Sequence, residues 1–277
     1  MRRWKALVRR ALRIGAWSVA LAVGVLRVLP GVGASPAPIA SPEPGSGAFR
    51  MVTYNILGTD PAPMDRLIAA LKARAPAVVG LVEVPGSKAE ALAADEGLAR
   101  LYPWQELRPY APHGGIAILS SYPMEAAPND PSIPVLRATV DIDGTQVSVI
   151  EAHASNPLTS GGRDSELGRI RALIERQAAA GMPVVMAGDL NTNAFEPAFW
   201  SLSSGLHDVD AGATWGPDPN GPALLRIDHI LTTPDLVPRD GAVDCDASGS
   251  DHCLLEAVIG LPAGSAVPAS PAAEAGS

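Results

Sequence analysis

The chain has 277 residues, 47% of them hydrophobic, a formal charge of −8 and two cysteines. This is enough apolar material for one large core, and it excludes a disordered chain or a small disulfide scaffold. Residues 1–47 hold seven of the 21 basic side chains and one of the 29 acidic ones, so the remainder has 14 basic against 28 acidic residues, a net of −14. That body lacks the basic footprint of a protein held tightly on phosphate backbones, so a nucleic-acid partner is not favoured, although a local patch or a bound cation can offset the mean.

Arg2, Arg3, Lys5, Arg9, Arg10 and Arg13 precede an uncharged apolar run from Ile14 to Leu26, and Val32-Gly33-Ala34 then offers a small-residue cleavage site. The order is that of a secretory signal peptide. The alternative is an uncleaved membrane anchor, with Arg27 at the edge of a run shorter than the roughly 20 residues a spanning helix needs. In either form residues 1–34 place the rest of the chain outside the cytoplasm, secreted or tethered. Residues 35–47, with four prolines among serine and glycine, read as a linker. The domain proper runs over 48–261, and 262–277 reads as a disordered tail.

Within the domain, Phe49 to Tyr54 reads as a first strand and Met64 to Ala75 as a helix stopped by Pro76. Ala77 to Val82 is a second apolar strand, Lys88 to Arg100 a helix, and Gly115 to Leu119 a further strand. Residues 137–151 form a hairpin about Asp143-Gly144, the pair favoured in a two-residue type I′ turn. Asp164 to Ala180 is the longest helix, with Leu167, Ile170, Leu173 and Ile174 on one face. Strands recur at 183–187, 226–232 and 253–259. Hairpins interleaved with helices imply an α/β fold with mixed sheets and helices outside.

The run Val184 to Ala187 stops at Gly188, and Asp189 and Asn191 follow. In an extended segment side chains two apart face the same way, so the acid and the amide can share one pocket. A polar turn after a core strand is the alternative reading. Gly188-Asp-Leu-Asn191 is preceded by Met51-Val-Thr-Tyr-Asn-Ile56 and Val79-Gly-Leu-Val-Glu83, and followed by Arg226-Ile-Asp-His-Ile-Leu231 and Ser250-Asp-His252. In this order the motifs resemble the endonuclease/exonuclease/phosphatase superfamily of metal-dependent phosphoester hydrolases, over about Phe49 to Leu261. The resemblance implies a two-sheet mixed β-sandwich flanked by helices on both outer faces. It makes Glu83 the main metal ligand with Asn55 beside it, and an oxygen set of this kind suits Mg²⁺ or Mn²⁺. Many members carry an acid two residues after that Asn, where this chain has Leu57, so one metal or two stays open.

By the same resemblance Asp189 is the base for the attacking water, Asn191 orients water or phosphate, and Asp228 pairs with His252. A carboxylate beside an imidazole favours the imidazolium, which can stabilise a charged transition state. Asp251 leans towards the metal. His153, in Glu151-Ala-His-Ala-Ser-Asn156, matches a His at the phosphate or leaving group, and Asn156 matches a phosphate-contacting Asn. His229 follows Asp228 in a strand, points to the opposite face and reads as structural. His113 and His207 carry no motif. Cys245 and Cys253 flank a Gly/Ser loop, and outside the cytoplasm they either bridge or remain two thiols. The expectation is an exported, monomeric Mg²⁺-dependent hydrolase of a small or lipid-linked phosphoester, with membrane lipid a candidate partner. The alternatives are a secreted nuclease acting on DNA or RNA and a non-catalytic phosphoester-binding homologue.

Overall fold

The computed structural model describes residues 39–262, apart from 44, 59–63, 112–113, 129, 159–160, 220 and 248. The leader or anchor expected over 1–34, the start of the linker, the tail beyond Pro262 and His113 lie outside the described residues. Among the described residues no helix is long and apolar enough to cross a membrane.

In chain order the elements begin β1 (Ala48–Asn55), α1 (Asp65–Arg74), β2 (Val78–Val82), α2 (Gly86–Ala94), α3 (Glu96–Leu101), β3 (Trp104–Arg108), β4 (Ile116–Ser120) and β5 (Met124–Ala126). There follow β6 (Val135–Ile142), β7 (Thr145–His153), α4 (Arg163–Ala179), β8 (Val184–Asp189), α5 (Pro197–Ser203) and β9 (His207–Asp208). The last three strands are β10 (Asp228–Thr232), β11 (Val237–Asp244) and β12 (Leu254–Gly260). They form two six-stranded sheets, ordered β11-β12-β1-β2-β4-β3 and β5-β6-β7-β8-β10-β9. β1 with β2, and β7 with β8, run parallel.

Alternation along the strands divides the core into three apolar layers. Met51, Val82 and Ile118 of one sheet meet Val149, Val185 and Ile230 of the other between the sheets. Val52, Leu81 and Leu119 turn outwards onto Leu71 of α1, Leu92 of α2 and Leu98 of α3. On the far side Ile150, Met186 and Leu231 pack on Ile170 and Ile174 of α4 and on Phe199 of α5. The two-sheet sandwich with helices on both outer faces is thus present. Each fully buried aliphatic side chain contributes about 1.5–3 kcal/mol.

The helix expected over 88–100 is two helices. They break at Asp95, whose extended backbone lets its carboxylate accept the Leu98 N–H at 2.8 Å and cap α3. The hairpin has the expected turn, with Asp143 and Gly144 both at positive φ. Strands β3, β5, β9 and β11 and helix α5 were not anticipated. β11 contains Pro238 and Asp240-Gly241, residue types common in turns; it is an edge strand with a register shift between Pro238 and Asp240, where a missing N–H is tolerated.

Two close approaches set up the functional end. Gly188 has φ +130°, and a Cβ there would lie 1.9 Å from the Ala152 carbonyl oxygen, so only glycine lets β8 press this closely on β7. The register then sets His153 beside Asp189. Cys245 and Cys253 form a disulfide that closes the β11–β12 loop around Ser250, Asp251 and His252. Closing a loop of eight residues is worth about 2–3 kcal/mol from chain entropy. The double variant Cys245→Ser/Cys253→Ser is expected to lose stability of that order in urea unfolding; no loss would show that the bridge does not constrain the loop.

The chain approaches from the other end. β1 starts beside the end of β12, with Ala48 opposite Gly260. There the Ile39 N–H donates to Glu256 Oε1 at 3.0 Å, the Arg50 guanidinium donates to the Ile39 carbonyl, and Gly45 N–H donates to Asp143 Oδ2 at 3.2 Å. Part of the segment read as a linker is therefore tied to the domain.

Candidate active site

The side chains that continue the inner seam become polar at one pole. Asn55 ends β1, His153 ends β7, Asp189 ends β8 and Asp228 begins β10, each in step with an inward-facing residue of its strand, Met51, Val149, Ala187 and Ile230 respectively. All four are buried. Glu83 lies one residue past β2 at φ +59°, a left-handed backbone that costs a non-glycine residue energy and ends the strand abruptly.

The groups converge on Asp189. Asn55 Nδ2 donates to Asp189 Oδ2 at 3.0 Å and to Glu83 Oε1 at 3.1 Å. Asp189 Oδ2 also lies 3.6 Å from His153 Nε2 and 3.6 Å from His252 Nε2. His153 Nε2 stands 3.9 Å from Glu83 Oε1. These longer separations are contacts rather than hydrogen bonds, and they leave Asp189 Oδ2 facing both imidazoles. On its other ring nitrogen His252 Nδ1 meets Asp228 Oδ2 at 2.8 Å, a charge-assisted hydrogen bond. Asp189, Asp228 and His252 bring ligand-type atoms within 4.8 Å of one another, a group able to hold a metal ion.

Burial and neighbouring charges together set the charge states. Desolvation works against the charge on His252, but the Asp228 carboxylate and its hydrogen bond outweigh it, helped by Asp189 and Asp251, and the imidazole is pushed up to about 10. It is an imidazolium at neutral pH. Burial raises Asp189 above the usual carboxylate range, with the Asp228 charge adding to it and His252 and His153 opposing. A carboxylate so raised is a better proton acceptor.

Asn191 reaches the site by a different route from the one the sequence suggests. The strand ends at Asp189, Asn191 has φ +49°, and its N–H folds back onto Asp189 Oδ1 at 2.9 Å. Its amide donates to the Ala154 carbonyl at 2.9 Å, so a turn rather than strand alternation places it. Asn156 is exposed on the loop after β7, accepting the Leu158 N–H at 2.9 Å, and lies at the lip rather than in the buried cluster. Asp251 Oδ2 accepts the Trp215 indole N–H at 3.0 Å. His207 sits on β9 and is exposed.

His229 turns away from the cluster. It is fully buried, its Nε2 donates to the Thr192 carbonyl at 3.0 Å, its Nδ1 accepts from Arg226 at 3.3 Å, and the ring packs on Phe199 at 4.3 Å. His229→Ala is expected to cost about 2–4 kcal/mol in stability, from the cavity and the orphaned carbonyl. Its folded fraction is expected to keep kcat within about tenfold, a loss below that of a missing general base. A catalytic loss as large as that of Asp189→Asn in a fully folded variant would contradict this.

Four supporting side chains were not anticipated. Lys88 is buried on α2 and its ammonium donates to the Ile56 and Leu57 carbonyls, each at 2.8 Å. That turn presents the Gly58 N–H to Glu83 Oε2 at 2.8 Å. Ser250 Oγ donates to the Asn55 carbonyl at 2.8 Å and accepts the His252 N–H at 3.1 Å, joining β1 to the final loop. Arg163 bonds the Asn191 carbonyl at 2.7 Å, and Trp215 holds Asp251. A lone lysine among alanines and leucines, five residues past Glu83, was the available signal for Lys88; Trp215 had none.

The sandwich and the acid–imidazole cluster at its strand ends place the molecule among hydrolases that act on ester bonds. Residues 52–252 match the Endonuclease/Exonuclease/phosphatase family, and the chain belongs to that family. No protein of curated function matches the sequence. Among solved structures, TDP2 from D. rerio complexed with a single-strand DNA product shares 18% identity, covering 76% of this chain and 98% of that one at TM-score 0.60. An endonuclease/exonuclease/phosphatase from Beutenbergia cavernae shares 25% over 78% of this chain and 72% of that one at 0.56. A beta toxin from Staphylococcus aureus shares 20% over 76% and 99% at 0.58.

Proposed function

We propose that the domain hydrolyses a phosphoester by direct attack of water, with Asp189 as the base and the His252 imidazolium neutralising the phosphate as charge builds on it. The observation that carries this reading is Asp189 Oδ2, buried and raised in pKa, set 3.6 Å from the Nε2 atoms of both His153 and His252. A water beside Asp189 Oδ2 can give it a proton, while His252, oriented by Asp228, points a donor at a phosphoryl oxygen. His153 faces the same carboxylate oxygen, and the Asn191 N–H holds the other one. A protein that only binds phosphoesters has no use for such a base.

The donor set fits a divalent cation, Mg²⁺ or Mn²⁺. Glu83 Oε1 and Asp189 Oδ2 both lean on one amide group of Asn55, a place that calls for positive charge, and Asp251 follows Ser250, whose hydroxyl bonds the Asn55 carbonyl, with one oxygen tied to Trp215. Asp228 is committed to His252, whose charge repels a cation, so we place the ion with Glu83, Asn55 and Asp251 rather than with Asp189, Asp228 and His252. The ion supplies charge neutralisation and polarisation of the phosphate. Leu57 offers only its backbone, an N–H to Asn55 Oδ1 at 3.0 Å, which favours one ion. Chelation by EDTA is expected to abolish activity, Mg²⁺ or Mn²⁺ to restore it, and Glu83→Gln to raise the ion concentration needed for half activity. Undiminished hydrolysis in chelator would remove the ion from the account.

For substrate we favour a small or lipid-linked phosphoester met outside the cytoplasm, the enzyme being secreted or tethered by its N-terminal segment. The basic-then-apolar leader and the Cys245–Cys253 bridge support export. The acidic body supports a small substrate, and so does the engagement of Arg163, which pairs with Asp164 and Glu196 and bonds the Asn191 carbonyl. Nucleic acid is the second reading, favoured by the likeness to a structure that holds a DNA product. Comparing kcat/KM at about 0.15 M salt on sphingomyelin, a polyprenyl diphosphate, a generic diester, DNA and RNA decides between them; a clear preference for DNA or RNA would overturn the first choice.

A further inference from the structure

Large apolar side chains left in solvent are not spread evenly over the domain. Among the described residues Tyr110, Leu158 and Phe195 are 94%, 82% and 73% exposed, and Trp200, Leu224 and Leu225 are exposed as well. All six are carried by, or tied to, segments that adjoin the catalytic pole. Tyr110 falls between Arg108 and Ile116, which pair with each other, and Ile116 also pairs with Val82, next to Glu83. Its hydroxyl stands 3.9 Å from where a Cβ on Gly86 would be. Leu158 follows His153 at the end of β7, and Phe195 follows Asp189 at the end of β8. The Trp200 indole N–H donates to the Ala194 carbonyl at 2.7 Å, tying that ring to the turn that carries Phe195. Leu224 and Leu225 bond the backbone of Trp215, which also bridges to His252. The other large exposed apolar residues, Trp104 and Val237, lie at the opposite end, across from Ser120 and Gly260.

The sequence around these side chains is poor in positive charge. Stretches 109–115, 154–162, 190–196 and 209–227 contain no lysine and a single arginine, Arg226, which is engaged by Asp208. A single-stranded nucleic acid needs cations along its phosphates as well as rings for its bases, and half of these six side chains are leucines, which offer no ring. We propose that this rim is a docking surface for a zwitterionic lipid surface, entered by the apolar side chains so that the Asp189–His252 cluster meets a phosphoester in the headgroup layer. Leucine and phenylalanine gain by leaving water for the acyl boundary, while tyrosine and tryptophan suit headgroup level, ring in the apolar part and polar tip wet. Charge points to the same occupant: a body with 14 basic and 28 acidic residues is repelled by an anionic surface and indifferent to a zwitterionic one. The inference rests on the lipid-linked substrate favoured above and adds the surface that presents it.

The test reads the rim itself in the full chain, whatever the N-terminal segment does. Cys245 and Cys253 are joined to each other, so Leu158→Cys, Phe195→Cys and Val237→Cys each provide one thiol for an environment-sensitive fluorophore. On phosphatidylcholine vesicles the probes of Leu158→Cys and Phe195→Cys are expected to shift to the blue and to be quenched by lipids brominated in the acyl chain, equally at about 0.05 and 0.5 M salt. The probe of Val237→Cys, at the opposite end, is expected to do neither. The double variant Leu158→Ser/Phe195→Ser is expected to lose about tenfold or more in kcat/KM on a phosphodiester lipid in those vesicles and to stay within about twofold on a short-chain, water-soluble diester. Rim probes that remain in water on the vesicles, or a shift that salt abolishes, would overturn the inference. So would a shift that appears without lipid as the chain is concentrated, which assigns the rim to a second copy, or one that single-stranded DNA produces more strongly than the vesicles. Absence of hydrolysis by the wild type on every ester would instead defeat the proposed function, and the probes would still decide the docking.

Discussion

Asp189→Asn is expected to lower kcat by about 10²-fold or more, the usual loss for a missing general base. The substitution keeps size and can keep the contact from Asn55, 3.0 Å away in the wild type, so the loss is one of proton acceptance rather than packing. KM is expected to move little, because the role of Asp189 falls in the attack step and not in ground-state binding. The wild type should lose activity as pH falls through the raised Asp189 value, since only the ionised acid accepts a proton. Measurement of kcat/KM between pH 4 and 8 on folded wild-type and variant protein checks both statements. A variant with near-wild-type kcat would remove Asp189 from the role of base.

The second large effect concerns the imidazolium. Asp228 is the main group raising His252, to about 10, against the cost of burial. Asp228→Asn keeps the shape but removes the charge, so the alkaline limb of the pH–rate profile is expected to fall from about 10 towards the ordinary histidine value near 6.5. At pH 8 the variant should lose about 10²-fold in kcat, and at pH 6 much of that loss should be recovered. Stability follows the same sign. A histidine raised in the folded state lends stability that is full below its unfolded value near 6.5 and is lost as pH rises through about 10. The gap in urea stability between wild type and Asp228→Asn should therefore narrow from pH 6 to pH 10. Because Asp189 and His252 interact, each limb belongs to the pair. A pH-independent gap and an unmoved alkaline limb would show that Asp228 does not set the charge of His252.

Much of the site was legible because of one regularity. Inward-facing positions recur every two residues, so a polar residue at the end of a buried strand falls at the pole of the sandwich; Asn55, His153, Asp189 and Asp228 all follow this rule. His229, one residue off the rule, is on the outer face as expected. The rule fails where the strand stops: Glu83 and Asn191 have left-handed backbones, and their aim is set by turns. The edge strands β3, β5 and β9 were hidden because a short, half-exposed strand has little apolar periodicity, and β11 because proline and Asp-Gly mimic a turn. Lys88, Trp215 and Ser250 act through contacts between segments far apart in the chain, which spacing along one segment does not encode. Asp95 shows the converse: a capping acid inside a helical pattern split one expected helix into two.

The most direct test of the account is the stereochemical course at phosphorus, measured on a chiral phosphorothioate diester cleaved in ¹⁸O water with the cation present. One attack by a water that Asp189 deprotonates is an in-line displacement, and the account predicts inversion with a single ¹⁸O in the phosphorus-containing product. Retention would mean two successive displacements through a phosphorylated side chain, with His153 or His252 as nucleophile, and would contradict the assignment of Asp189 as the base for direct attack.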